Sequence, residues 1–116
     1  MDDKATKEAR RCLAALAARG WTLATAESCT GGLIAAMVTE QPGASAVFEA
    51  GFITYADRIK ERMLGVNPED LAQQGAVSET VVRQMARGAL TTSGADYVIA
   101  VSGIAGPDGG TEAKPA

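Results

Sequence analysis

WTLATAESCTGGLIAAMVTE, residues 21–40, changes character twice within one short stretch, and those changes decide the fold. Trp21-Thr22-Leu23-Ala24-Thr25-Ala26 reads as a short strand. Glu27-Ser28-Cys29-Thr30-Gly31-Gly32 reads as a tight turn, and Leu33 to Glu40 is apolar enough for a buried helix. Gln41-Pro42-Gly43 ends that helix. A strand that runs through glycines straight into a helix is the unit from which α/β sheets are built.

Reading toward the N-terminus, Ala9, Cys12, Leu13, Leu16 and Ala17 recur at three- and four-residue spacing, so the first twenty residues form a helix stopped by Gly20. Reading toward the C-terminus, Ala46 to Tyr55 is a second strand region, rich in Val, Phe, Ile, Thr and Tyr. Asp57 to Leu64 is a short helix broken by Gly65. Asn67-Pro68-Glu69-Asp70 is a cap, a first-turn proline and first-turn acids, which starts a helix running to about Gln74. Ser78 caps a longer helix that stops near Gly94. Asp96 to Val101 is nearly all apolar, the pattern of a strand buried on both faces, and Ser102 to Gly110 is a glycine-rich loop. The alternation places helices on both faces of one sheet, an α/β fold in a single domain over residues 1–116. Three short strands are a thin centre for so many helices, so the domain is expected to continue beyond this sequence.

Composition excludes much of the usual chemistry. The chain has no histidine, which removes Ser-His-Asp triads, Cys-His pairs and His-containing zinc sites. Two cysteines cannot build a thiolate metal site alone, and they suggest no disulfide framework. A formal net charge of −3 argues against a broad basic surface for nucleic acid or anionic lipid. No run approaches the ~18 apolar residues of a membrane span, and the charged start is not a signal peptide. The expectation is a reduced, cytoplasmic domain with no metal.

Two glycine-bearing turns follow strand ends, the default ligand edge of an open α/β sheet. In the first, the N–H groups of Thr30, Gly31 and Gly32 should be unpaired at a helix start, ready for a phosphate or an oxyanion. The same turn equally suits a plain Ser or Thr helix cap. It is neither a phosphate-binding P-loop nor a dinucleotide fingerprint. Without histidine, a serine nucleophile needs another base, and a buried lysine can serve. Of the four lysines, Lys4 and Lys7 lie on the charged first helix and Lys114 in the tail. Lys60 follows a buried-looking strand and Tyr55, so it can face the same edge as Ser28. The segment Asp57 to Arg62 is also a charge run of the kind that coats a solvated helix face. Cys29 reads as a small buried hydrophobe beside the turn.

TAESCTGGLIA (25–35), FEAGFITYADRIK (48–60), GAVSE (75–79) and VSGIAGPDGGTEAKP (101–115) resemble, in order and in spacing, the CinA C-terminal domain family of bacterial nicotinamide-nucleotide amidases. The resemblance implies a three-layer α/β/α domain with a mostly parallel, mixed central sheet. It implies hydrolysis of the carboxamide of nicotinamide mononucleotide, without metal or other cofactor, by a Ser-Lys mechanism. On this sequence the nucleophile is Ser28 and the base is Lys60, with Tyr55 assisting proton transfer or orienting the lysine. Thr30, Gly31 and Gly32 and the loop residues Ser102, Gly103, Ala105 and Gly106 are the implied substrate contacts. The resemblance further implies a homo-oligomer, and a domain that in relatives adds further strands and a helix after the last motif. A long form of the family carries an additional N-terminal domain that this sequence lacks. The contrasting reading is a nucleotide-binding module, linked to competence or DNA damage, that holds the ligand without turnover.

Overall fold

The computed structural model describes residues 3–104. The first helix, α1 (Asp3–Arg19), buries Ala9, Leu13 and Leu16 along one stripe and ends at Gly20, whose positive φ of 69° suits the stop. Strand β1 (Leu23–Glu27) follows, then α2 (Leu33–Thr39), a 3₁₀ turn at Ala44–Ala46, and β2 (Phe48–Ile53). Three helices come next, α3 (Asp57–Leu64), α4 (Pro68–Gln74) and α5 (Glu79–Ser93), before β3 (Tyr97–Val101). The expected caps are in place. Asn67 Oδ1 accepts the N–H groups of Glu69 and Asp70, and Ser78 Oγ accepts that of Val81.

The strand order is β2-β1-β3, and both pairings are parallel. Leu13 and Leu16 of α1 pack with Leu23, Val38 and Val47 on one face. Leu64, Leu71, Val81, Met85 and Ala89, from α3, α4 and α5, pack with Ala26 on the other. The three-layer α/β/α expectation therefore holds, and the three described strands are uniformly parallel rather than mixed.

Three strand expectations change. The first strand shifts from 21–26 to Leu23–Glu27, taking Glu27 out of the turn. The region 46–55 shortens to Phe48–Ile53, because Gly43, at φ 83°, lets the chain turn through Ala44–Ala46 first. A register shift then separates the pairs Leu23–Phe48 and Ala24–Ala50. Phe48 and Phe52 are four apart and would share a face of a regular strand, yet they pack into opposite cores. β3 is not buried on both faces; its residues are half-buried or exposed, whereas every residue of β1 is buried. Among the described residues, β1 alone has a strand on each side, so coverage is greatest there.

The packing of α5 on α3 depends on Gly88. A Cβ at that position would lie 1.9 Å from the backbone carbonyl oxygen of Leu64. Gly88→Ala gains ~1 kcal/mol of helix propensity but forces backbone apart at a cost of roughly 3 kcal/mol. The expected net loss lowers the melting temperature by roughly 10 °C. A thermal melt followed by circular dichroism checks this; an unchanged or higher midpoint would contradict the close approach.

Candidate active site

Parallel strands bring their carboxyl ends to one edge, and the chain leaves that edge at three of the positions expected to be functional. Ser28 follows β1 directly, Tyr55 lies two residues beyond β2, and Ser102 follows β3. These three line one cleft of about 340 Å³, together with Cys29, Lys60 and Gly103. Asp57, Ala76 and Ile104 complete its wall. Larger grooves of about 490 and 560 Å³ lie beside α5. The smaller cleft is the candidate site because it alone combines Ser28 with a buried cation.

Lys60 is 1% exposed, the one buried cation among the described residues. The inward stripe of α3 is Lys60 and Leu64, while Met63 stays exposed. A helix that buries a lysine and leaves a methionine in water forgoes apolar burial, and desolvating an ammonium is costly. That cost points to a use for the amine. The Lys60 Nζ donates to the Tyr55 carbonyl oxygen at 2.8 Å and lies 3.5 Å from Asp57 Oδ1. The Asp57 side chain is itself mostly exposed. Tyr55 therefore holds the lysine through its backbone, while its ring is 64% exposed at the cleft. No hydrogen bond joins Ser28 to Lys60 among the described residues.

The turn after β1 is fixed from both sides. The Ser28 N–H donates to the Val101 carbonyl, and the Thr54 N–H donates to the Glu27 carbonyl. The expectation of free N–H groups on Thr30, Gly31 and Gly32 holds only in part. Gly31 N–H closes a turn onto the Ser28 carbonyl, 3.1 Å away. The unpaired N–H groups of this turn, among the described residues, are those of Cys29, Thr30 and Gly32. The start of α2 is also occupied, because Ile34 and Ala35 donate their N–H groups to the Glu27 carboxylate. None of Thr30, Gly31 and Gly32 lines the cleft, and a Cβ on Gly32 would meet Ile53 Cδ1 at 2.9 Å.

Ser102 and Gly103 do line it. Among the described residues the Ser102 Oγ is buried without a hydrogen-bond partner, and a Cβ on Gly103 would come within 3.2 Å of the Cys29 Sγ. Cys29 thus packs between the two turns. Ala105 and Gly106 lie outside the described residues. The sequence reading missed Asp57 and Glu27. Asp57 was findable, since it stands one helical turn before Lys60 and can reach it. Glu27 carried no such signal. Among the described residues no cluster of three or more His, Cys, Asp or Glu could hold a metal ion, and no helix is long and apolar enough to cross a membrane.

At the opposite end of the sheet, Cys12 lines a separate groove with Arg19, Trp21 and Tyr97. Burial pushes the Cys12 thiol above its ordinary value.

A covered parallel sheet with a serine and a buried lysine at its carboxyl edge defines an α/β domain with a candidate small-molecule site. The family model described as the CinA C-terminal domain matches residues 5–116, and the chain belongs to that family. Over 101 residues it is 59% identical to the nicotinamide-nucleotide amidohydrolase PncC of Escherichia coli, covering 87% of this chain and 61% of that protein. It is 62% identical over 100 residues to a putative competence-damage inducible protein of Symbiobacterium thermophilum, covering 86% of this chain and 24% of that one. The crystal structure of the competence/damage inducible protein CihA from Agrobacterium tumefaciens superposes with a TM-score of 0.95 at 48% identity, covering 99% of this chain and 70% of that chain. The chain thus spans about three-fifths of the length of the amidohydrolase it matches.

Proposed function

We propose that this domain hydrolyses the carboxamide of nicotinamide mononucleotide to nicotinic acid mononucleotide and ammonia. The observation that carries the reading is a fully buried lysine in the same cleft as a strand-end serine, in a chain without histidine. The 59% identity to a nicotinamide-nucleotide amidohydrolase supports the substrate.

In this mechanism the Ser28 Oγ attacks the amide carbon and its proton passes to the Lys60 amine. For that role the Lys60 amine must offer its lone pair. Its two N–H groups meet the Tyr55 carbonyl and Asp57, and its lone pair receives the proton. The developing oxyanion is met by the free N–H group of Cys29, which lines the cleft; one such donor is worth about 10²–10³ in rate. Lys60 returns its proton to the departing nitrogen, ammonia leaves, and Ser28 carries the nicotinate mononucleotide as an ester. Water then attacks that ester, giving its proton to Lys60, and Lys60 restores the proton to Ser28. Ser102 Oγ and Gly103 are the proposed substrate contacts on the facing loop, joined by Ala105 and Gly106. Thr30, Gly31 and Gly32 contribute through the shape and the N–H groups of the nucleophile turn.

The domain acts on a cytoplasmic nucleotide and works as a homo-oligomer in this proposal. Leu33, Ile53 and Tyr55 are large apolar side chains about half or more exposed, which supports self-association. Incubation with nicotinamide mononucleotide and analysis of the products tests the reaction. The expected products are ammonia and nicotinic acid mononucleotide in equal amounts. Free nicotinamide would mean cleavage at the ribose instead, and an unchanged nucleotide that remains bound would mean a binding module.

A further inference from the structure

Glu27 is 0% exposed, yet among the described residues no lysine or arginine pairs with it. A buried carboxylate without a cation is costly unless donors satisfy it. Here three donors do. The Thr30 hydroxyl reaches Oε1 at 2.6 Å, the Ile34 N–H reaches Oε1 at 2.9 Å, and the Ala35 N–H reaches Oε2 at 3.0 Å. The residue at the cap position of α2 is Gly32, with φ 106° and no side chain to offer. Glu27 thus caps a helix that begins six residues after it, and its negative charge meets the positive end of the helix dipole.

The bonds enclose one segment, residues 28–33. Glu27 stands before it, Thr30 in its middle, and Ile34 and Ala35 beyond it. That segment holds Ser28 and the unpaired N–H groups of Cys29 and Thr30. We infer that Glu27 is a positioning residue: its carboxylate holds the turn in the shape that presents Ser28 Oγ and the adjacent N–H groups to the cleft. It touches no reacting atom and acts through the turn. The inference rests on the proposed role of Ser28 as nucleophile.

Glu27→Gln tests it, because glutamine keeps the volume but offers an NH₂ where one of the oxygens accepts. The account expects kcat for nicotinamide mononucleotide to fall 10- to 100-fold with KM within twofold of the wild type. Glu27→Asp keeps the charge and should recover part of the lost rate. Thr30→Val removes only the hydroxyl donor and should lower kcat by about 3- to 10-fold. This variant decides the matter if the glutamine variant does not fold. A second reading, independent of the natural substrate, is the rate at which an alkyl fluorophosphonate labels Ser28. It should fall in parallel with kcat in each variant that folds. If the wild type is labelled but releases no ammonia, slower labelling of the variants upholds the positioning role while the amidase reading fails. Wild-type rates in Thr30→Val and in any folded Glu27 variant would overturn the inference, as would a wild-type Ser28 that the reagent does not label.

Discussion

Ser28→Ala is expected to stop ammonia release, lowering kcat by on the order of 10⁴ or more, the scale seen when a covalent nucleophile is removed, if Ser28 plays the proposed part. The substitution is close to ideal as a probe. Ser28 is buried, its side chain makes no hydrogen bond among the described residues, and its backbone bond to Val101 survives the change. The melting temperature should therefore stay within about 2 °C of the wild type. A nucleotide-binding module would behave differently, since loss of one hydroxyl would weaken binding by only a few-fold. The comparison of turnover with binding separates the two readings.

Lys60→Met is expected to lower kcat by roughly 10³ or more, because in the proposed reaction the serine proton then has no acceptor. Methionine preserves most of the length of the buried stem. The stability effect has an informative sign. A lysine kept for structure would leave the fold weaker when replaced. A lysine buried at a cost for chemistry leaves the fold as stable or more so, because the desolvation penalty goes with the amine. Its one ionic partner among the described residues, Asp57, is already mostly exposed and is not stranded by the change. The prediction is thus a large loss of rate with an unchanged or higher melting temperature. A melting point that falls by 10 °C or more would return Lys60 to a structural role.

Much of this arrangement was legible in the sequence. The caps at Asn67 and Ser78 and the stop at Gly20 are local chemistry, and local chemistry is what a sequence displays directly. The convergence of Ser28, Tyr55 and Ser102 followed from parallel strands, whose ends must share an edge. What was hidden depended on partners distant in the chain. The bulge beside Phe48 arises from pairing with Leu23, and no periodicity within 48–53 reveals it. The burial of Lys60 was ambiguous, because Ile59 and Met63 offer the same helix an apolar alternative and only packing selects the lysine. Glu27 looked like the polar first residue of the turn. Its value lies in donors three, seven and eight residues ahead, on a turn and helix whose approach the sequence does not state. Of the expected free N–H groups, those of Thr30 and Gly32 are free; the local turn back to Ser28 claims Gly31, and Cys29 is free instead.

In the proposed reaction Ser28 and Lys60 act as one unit on an amide bond. Ammonia release from nicotinamide mononucleotide by the wild type, Ser28→Ala, Lys60→Met and the double variant tests it in a single cycle. Residues of one catalytic unit are strongly non-additive. The account predicts active wild type, two nearly silent single variants, and a double variant no slower than Ser28→Ala alone. Losses that multiply in the double variant, or turnover that persists without Ser28, would contradict it.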